Sequence, residues 1–171
     1  MSGVGAAIGV SDAAVVDLIG ALAARGLTLA TAESLTGGLL TAVLTEVPGS
    51  SAVVRGGLVV YATDLKHELA DVDRALLDRL GPVDPEVAVQ LARGARQRCG
   101  ADVGVGLTGV AGPDPQDGVP VGTWFCAVVG PGARQELRSG EPTGAGTREQ
   151  IRSAAVGAAI EVLANIAATD S

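Results

Sequence analysis

Residues 27–47 read LTLATAESLTGGLLTAVLTEV, two apolar runs on either side of a glycine pair. The first run, LTLATA, is short and bounded by glycine, which predicts a strand over residues 27–32. The second, GLLTAVLTEV, predicts a helix that starts near Gly37 or Gly38 and is broken at Pro48. Between them TAESLTGG, residues 31–38, sets Glu33, Ser34 and Thr36 at the mouth of the turn. A strand passing through such a turn into a helix is the repeating unit of α/β sheets. The turn aims backbone N–H groups and the positive end of the helix at one point, where an anion or a developing oxyanion could be held. Ser34 sits there. On this stretch alone it reads equally as a nucleophile or, like Thr36, as a helix cap.

The pattern continues outward. SDAAVVDLIGALAARG carries Ser11 as N-cap, Asp12 in the first turn and Gly26 as a stop, with Val15, Leu18, Ile19 and Leu22 on one face. GGLVVYA, residues 56–62, is a second strand, apolar throughout and expected to lie at the centre of the sheet. TDLKHELA and DRALLDRLG predict short helices, and DPEVAVQLARGARQRCG a longer one capped by Asp84 with Pro85 at its first position. DVGVGLTG is a third strand and VAGPDPQDGVP a turn-rich loop. VGTWFCAVVG and ARQELRSG form a hairpin around residues 130–132, and residues 147–168 an Ala-rich helix. Helices and strands alternate and a hairpin follows. This predicts a single three-layer α/β/α domain over residues 11–168, with a mixed, mostly parallel sheet of five to six strands. Residues 1–10, without a basic segment, read as a loose tail.

Composition narrows the chemistry. The chain has 171 residues, a net charge of −7 and 2% aromatic residues. A nucleic-acid partner is not expected, because phosphate backbones need clustered Lys and Arg and single strands need aromatic platforms. No uninterrupted apolar stretch of about 20 residues marks a membrane span. Cys99 and Cys126 are far apart and read as reduced thiols of a cytoplasmic protein. There is one histidine, His67, read as a surface residue, so no metal site built on several histidines can form within one chain. GVGLTG, residues 104–109, fits G-x-G-x-x-G in form. Its first glycines lie inside the strand and prolines follow it, so a dinucleotide fingerprint is rejected.

A second strand end joins Ser34. Tyr61 falls at the carboxyl end of GGLVVYA, and Lys66, the chain's single lysine, lies five residues on in the first turn of the next helix. Ligand sites of parallel sheets gather at such strand ends. With histidine scarce, a lysine kept neutral by burial can serve a serine as base, and a tyrosine can relay the proton or hold the lysine. A core-filling Tyr61 and a solvated Lys66 are the alternatives.

These blocks resemble the CinA C-terminal domain family, the nicotinamide mononucleotide amidohydrolases. TAESLTGG, GGLVVYATDLK and GLTGVAGPDPQDGVPVGTWF carry the resemblance over roughly residues 11–165, with a weaker match at TREQIR, residues 147–152. The resemblance implies metal-independent hydrolysis of the nicotinamide carboxamide to nicotinic acid mononucleotide and ammonia, with no cofactor. By the family motifs the serine is Ser34, the tyrosine Tyr61 and the lysine Lys66. The substrate, a small nucleotide, is expected to meet Glu33, Thr36, Gly37, Gly38, Thr108, Gly109 and Arg148. Within that set, Glu33 props the turn from behind, backbone N–H groups at residues 36–38 face the oxyanion, and the loop of Thr108, Gly109 and Gly112 lines the pocket. Arg148 or Arg152 pairs with phosphate or stays solvated. The family commonly has a smaller residue at Leu35, a glycine pair where this chain has DPQDGV, and a shorter turn than EPTGAGT before Arg148. The loop change, with Asp114, Asp117 and Val119, bears on substrate preference more than on catalysis. A homo-oligomer is expected by the same resemblance. The alternative functions are a non-catalytic nucleotide-binding module and an amidase acting on another carboxamide.

Overall fold

The computed structural model describes residues 3–133, 135–140 and 146–168. Two features of the sequence analysis, most of EPTGAGT and Arg134 of the hairpin, lie outside them. Five strands, β1 (Leu29–Glu33), β2 (Val54–Val59), β3 (Val103–Gly109), β4 (Trp124–Val129) and β5 (Gln135–Gly140), form one sheet in the order β2-β1-β3-β4-β5. β1 pairs in parallel with β2 and β3, and β4 runs antiparallel to β3 and β5. The sheet is mixed, as the alternating pattern predicts, and helices cover both faces.

One face carries α2 (Asp12–Ala24), α3 (Leu39–Thr45) and α7 (Arg148–Ala168). Ser11 caps α2 by accepting from the Ala14 N–H, and Val15, Leu18, Ile19 and Leu22 are its buried residues. They meet Leu29, Val105, Leu107, Cys126 and Val128 of the sheet in the larger core, with Val156, Leu163 and Ile166 of α7. Among the described residues α7 is the helix with the length and apolar composition to cross a membrane. Its buried residues here pack into this core.

The other face carries α4 (Thr63–Ala70), α5 (Arg74–Leu80) and α6 (Pro85–Cys99). Asp84 caps α6 from its Oδ1 to the Glu86 N–H, behind Pro85. Small residues on β3 explain how closely α6 lies on the sheet. A Cβ on Gly104 or Gly106 would overlap the Ala92 or Ala88 carbonyl of α6. The G-x-G pattern is therefore a packing device, which gives its rejection as a nucleotide fingerprint a physical reason.

Two expectations are corrected. β2 is an edge strand, not a central one: Arg55, Gly57 and Val59 are exposed on alternate positions while Val60 just beyond is buried. An apolar run reads as buried on both faces, but seven-residue α3 is too short to cover this edge. Residues 3–10 are not loose either. α1 (Val4–Ala7) docks through its Val4 and Gly5 N–H groups onto the Glu46 carboxylate, and Val10 is buried.

Candidate active site

The site forms where β1, β2 and β3 end. β1 is buried along its whole length and delivers Ser34 one residue beyond its last pairing. The Ser34 N–H still donates to the Leu107 carbonyl of β3, which anchors the backbone of the candidate nucleophile (2.9 Å). The chain then turns through Gly37 (φ 60°) and Gly38 (φ 92°), conformations open to glycine at little cost, and enters α3.

Lys66 comes from the first turn of α4. Its side chain is 1% exposed, and its Nζ donates to Ser34 Oγ at 2.9 Å and to the Val60 carbonyl at 3.0 Å. Burial lowers its pKa from 10.5 to about 8, against an opposing pull from Asp64. The neutral fraction at pH 7 is then about a tenth, against about one in 3,000 for an ordinary lysine. The structure thus brings together two residues 32 apart in sequence, a hydroxyl and an amine of lowered basicity.

Tyr61 stands apart from this pair. It is 60% exposed, and its hydroxyl accepts from Arg148 Nη2 at 2.9 Å. No hydrogen bond joins it to Ser34 or Lys66 among the described residues, whereas Ser34 and Lys66 touch directly. Arg148 also donates to the Gly112 carbonyl and so spans the site from β2 to the 110–121 loop. Between them lies a pocket of about 210 Å³ walled by Ser34, Tyr61, Gly109, Asp114, Gln116 and Arg148. Ser34 faces it with 7% exposure, and Lys66 lies behind the serine, outside the wall.

Several residues expected to touch substrate have other work. Glu33 is fully buried. Its carboxylate accepts from the N–H groups of Gly38 (3.1 Å), Leu40 (3.1 Å) and Thr41 (2.8 Å) and from the Thr41 hydroxyl (2.6 Å). It caps α3 from the strand and does not reach the pocket. The Gly38 N–H is thereby used, and the Gly37 N–H donates to the Ser34 carbonyl (3.0 Å), so neither serves as an oxyanion donor. The N–H groups of Leu35 and Thr36 meet no acceptor among the described residues. Thr36 has its own hydroxyl buried without a partner. The Thr108 hydroxyl is buried and donates to the Pro82 carbonyl at 2.6 Å, so Thr108 stays out of the pocket while Gly109 and Gly112 of the same loop line it. His67, expected at the surface, is half-buried and its Nδ1 pairs with the Val72 carbonyl at 2.8 Å.

Sequence reasoning offered Arg152 as a phosphate partner or a solvated residue. The structure turns it inward: Nε donates to the Leu35 carbonyl (3.1 Å) and Nη2 to the Thr36 carbonyl (2.7 Å). The signal available was its i, i+4 spacing from Arg148, which puts both on one helical face. Among the described residues no three His, Cys, Asp or Glu side chains gather as metal ligands.

Fold and site together define an α/β/α domain with a buried serine–lysine pair at the carboxyl ends of parallel strands. The chain belongs to the CinA C-terminal domain family, whose family model matches residues 12–167. A CinA-like protein of Frankia casuarinae is 44% identical over 146 residues, covering 85% of this chain and 33% of that protein. The chain spans about a third of the length of the curated relatives it matches. Solved structures agree along nearly the whole domain. The competence/damage inducible protein CihA from Agrobacterium tumefaciens is 35% identical with a TM-score of 0.86, over 91% of this chain and 94% of that one. A CinA superfamily protein from Klebsiella pneumoniae is 29% identical with a TM-score of 0.85, over 92% and 97%.

Proposed function

We propose that the protein hydrolyses the carboxamide of nicotinamide mononucleotide to nicotinic acid mononucleotide and ammonia. The observation that carries this reading is the 2.9 Å contact between Lys66 Nζ and Ser34 Oγ, with a lysine pKa of about 8. Ser34 Oγ attacks the amide carbon while neutral Lys66 takes its proton directly, a step worth about 10²–10⁴-fold. The oxyanion meets the free N–H group of Leu35, a pocket-wall residue, for a contribution of about 10²–10³-fold. Lys66 returns its proton to the departing nitrogen, which leaves as ammonia and yields an acyl-serine. Water, deprotonated by the same amine, attacks that ester, and the acid is released as Ser34 recovers its proton.

The remaining pocket groups suit a nucleotide. Arg148 is the cation in the wall, and its guanidinium keeps N–H donors beyond the two already used, available to phosphate. Asp114 and Gln116 offer acceptors to ribose hydroxyls. The names of the relatives describe competence and damage induction and no reaction, so the substrate rests on the family resemblance and this chemistry. The test is ammonia release from nicotinamide mononucleotide, free nicotinamide and the dinucleotide, with and without chelator. The mononucleotide should react fastest, chelator should have no effect, and Ser34→Ala should lower the rate by about 10³-fold or more. Tight nucleotide binding with no ammonia would make the protein a binding module; preference for another carboxamide would move the substrate.

A further inference from the structure

α7 carries arginines at its first and fifth positions, Arg148 and Arg152, at the end where the helix dipole disfavours cations. Each is held there by a specific contact. Arg148 crosses the pocket mouth to Tyr61 and Gly112. Arg152 does not line the pocket; it presses two N–H groups onto two successive carbonyls of the nucleophile turn, at 3.1 and 2.7 Å. A planar fork makes that two-pronged contact, and a lysine ammonium does not.

The contact has a stereochemical consequence. In a trans peptide the N–H points opposite to the C=O. With the Leu35 carbonyl on Arg152, the Thr36 N–H is turned to the side away from the guanidinium. With the Thr36 carbonyl on Arg152, the Gly37 N–H is turned back to the Ser34 carbonyl, where its bond is found. Glu33 holds the following residues through the N–H groups of Gly38, Leu40 and Thr41. A cation from α7 therefore grips the turn by its carbonyls, and a carboxylate from β1 grips it by its amides.

We propose that Arg152 is a positioning residue of the hydrolytic site: its hold on the Thr36 carbonyl keeps the Gly37 N–H on the Ser34 carbonyl, and so fixes the Ser34–Leu35 peptide with the N–H of Leu35, a pocket-wall residue, presented to the carboxamide oxygen. The inference rests on the hydrolase reading above, and Arg152 itself does not touch substrate. Its test compares Arg152→Ala and Arg152→Lys with the wild-type chain, and Arg152→Gln takes the place of an alanine variant that fails to fold. In the alanine variant kcat should fall about 10²-fold, the value of one oxyanion donor. KM should stay within about threefold, and the rate profile should keep its midpoint near pH 8. Lysine should recover at most about a tenth of the wild-type rate, and added methylguanidinium should restore part of the alanine variant's rate. A raised KM with kcat intact would make Arg152 a substrate ligand and overturn the proposal; so would an alanine variant within threefold of wild type.

Amide hydrogen exchange supplies a readout that needs no substrate. Exchange over residues 34–38 should speed at least about tenfold in the alanine variant while β3 stays protected. Unchanged exchange overturns the positioning role even in an active enzyme. Faster exchange in a protein whose wild type releases no ammonia upholds the grip on the turn and counts against the hydrolase reading instead.

Discussion

Lys66 is a charged residue type placed where charge is costly. It is 1% exposed, and its ammonium touches one hydroxyl and one carbonyl, with no carboxylate in contact among the described residues. A structural lysine would reach for water or an acid; this one is held short of both, and the result is an amine near pKa 8. The activity should therefore rise with pH to a plateau above about 8, as the neutral amine accumulates. Asp64, exposed in the first turn of α4, opposes that shift by favouring the charged form. Asp64→Asn should move the midpoint of the kcat/KM profile to lower pH, by less than about one unit given solvent screening. A midpoint that stays put or rises would contradict the electrostatic account. At this scale Ser34, Tyr61 and Lys66 were legible because the strand ends that carry them are legible. The sequence left open whether Ser34 and Lys66 meet directly or through Tyr61, since a five-residue offset into a helix does not say which way the side chain runs.

At the scale of elements, the strand–turn–helix around residues 27–47 could be read because each piece agrees locally: apolar strand, glycine turn, proline stop. The sequence named Glu33 as the prop behind the turn; what it did not reveal is that this carboxylate is fully buried and which groups it holds. Glu33 looks like a polar residue at a pocket mouth, but on a strand its side chain points to the face opposite Ala32, under α3. Its partners at residues 38–41 become visible only once the turn angles are known. Glu33→Gln keeps the shape and replaces one acceptor oxygen by a donor that faces backbone N–H groups. It should cost about 1–3 kcal/mol of stability in urea unfolding, the value of a buried donor left without an acceptor. A loss under about 0.5 kcal/mol would mean that the carboxylate is not the cap of α3. β2 was misjudged for a related reason: an apolar strand does not disclose how far the covering helix extends.

Over the whole molecule, the site and the fold make opposite demands on the same side chain. Folded Lys66 has a lower pKa than the unfolded chain, so at pH 7 both states are protonated and the fold carries the cost of a buried charge, on the order of 3 kcal/mol. Between about pH 8 and 10.5 the unfolded chain keeps a proton that the folded one has released. Stability relative to Lys66→Met should therefore increase across that window; parallel unfolding curves for the two proteins would contradict the shift. The sequence disclosed the layers, the mixed sheet and the family. It did not disclose the long-range contacts, such as Arg152 to residue 35, that bind α7 to the turn after Ser34. Composition makes the central claim directly measurable, because the chain contains a single lysine, Lys66. Protein labelled with [13Cε]lysine gives one side-chain signal whose shift follows protonation. Titration of that signal is expected to show a midpoint near pH 8, and a midpoint at lysine's ordinary value near 10.5 would contradict Lys66 as the base for Ser34.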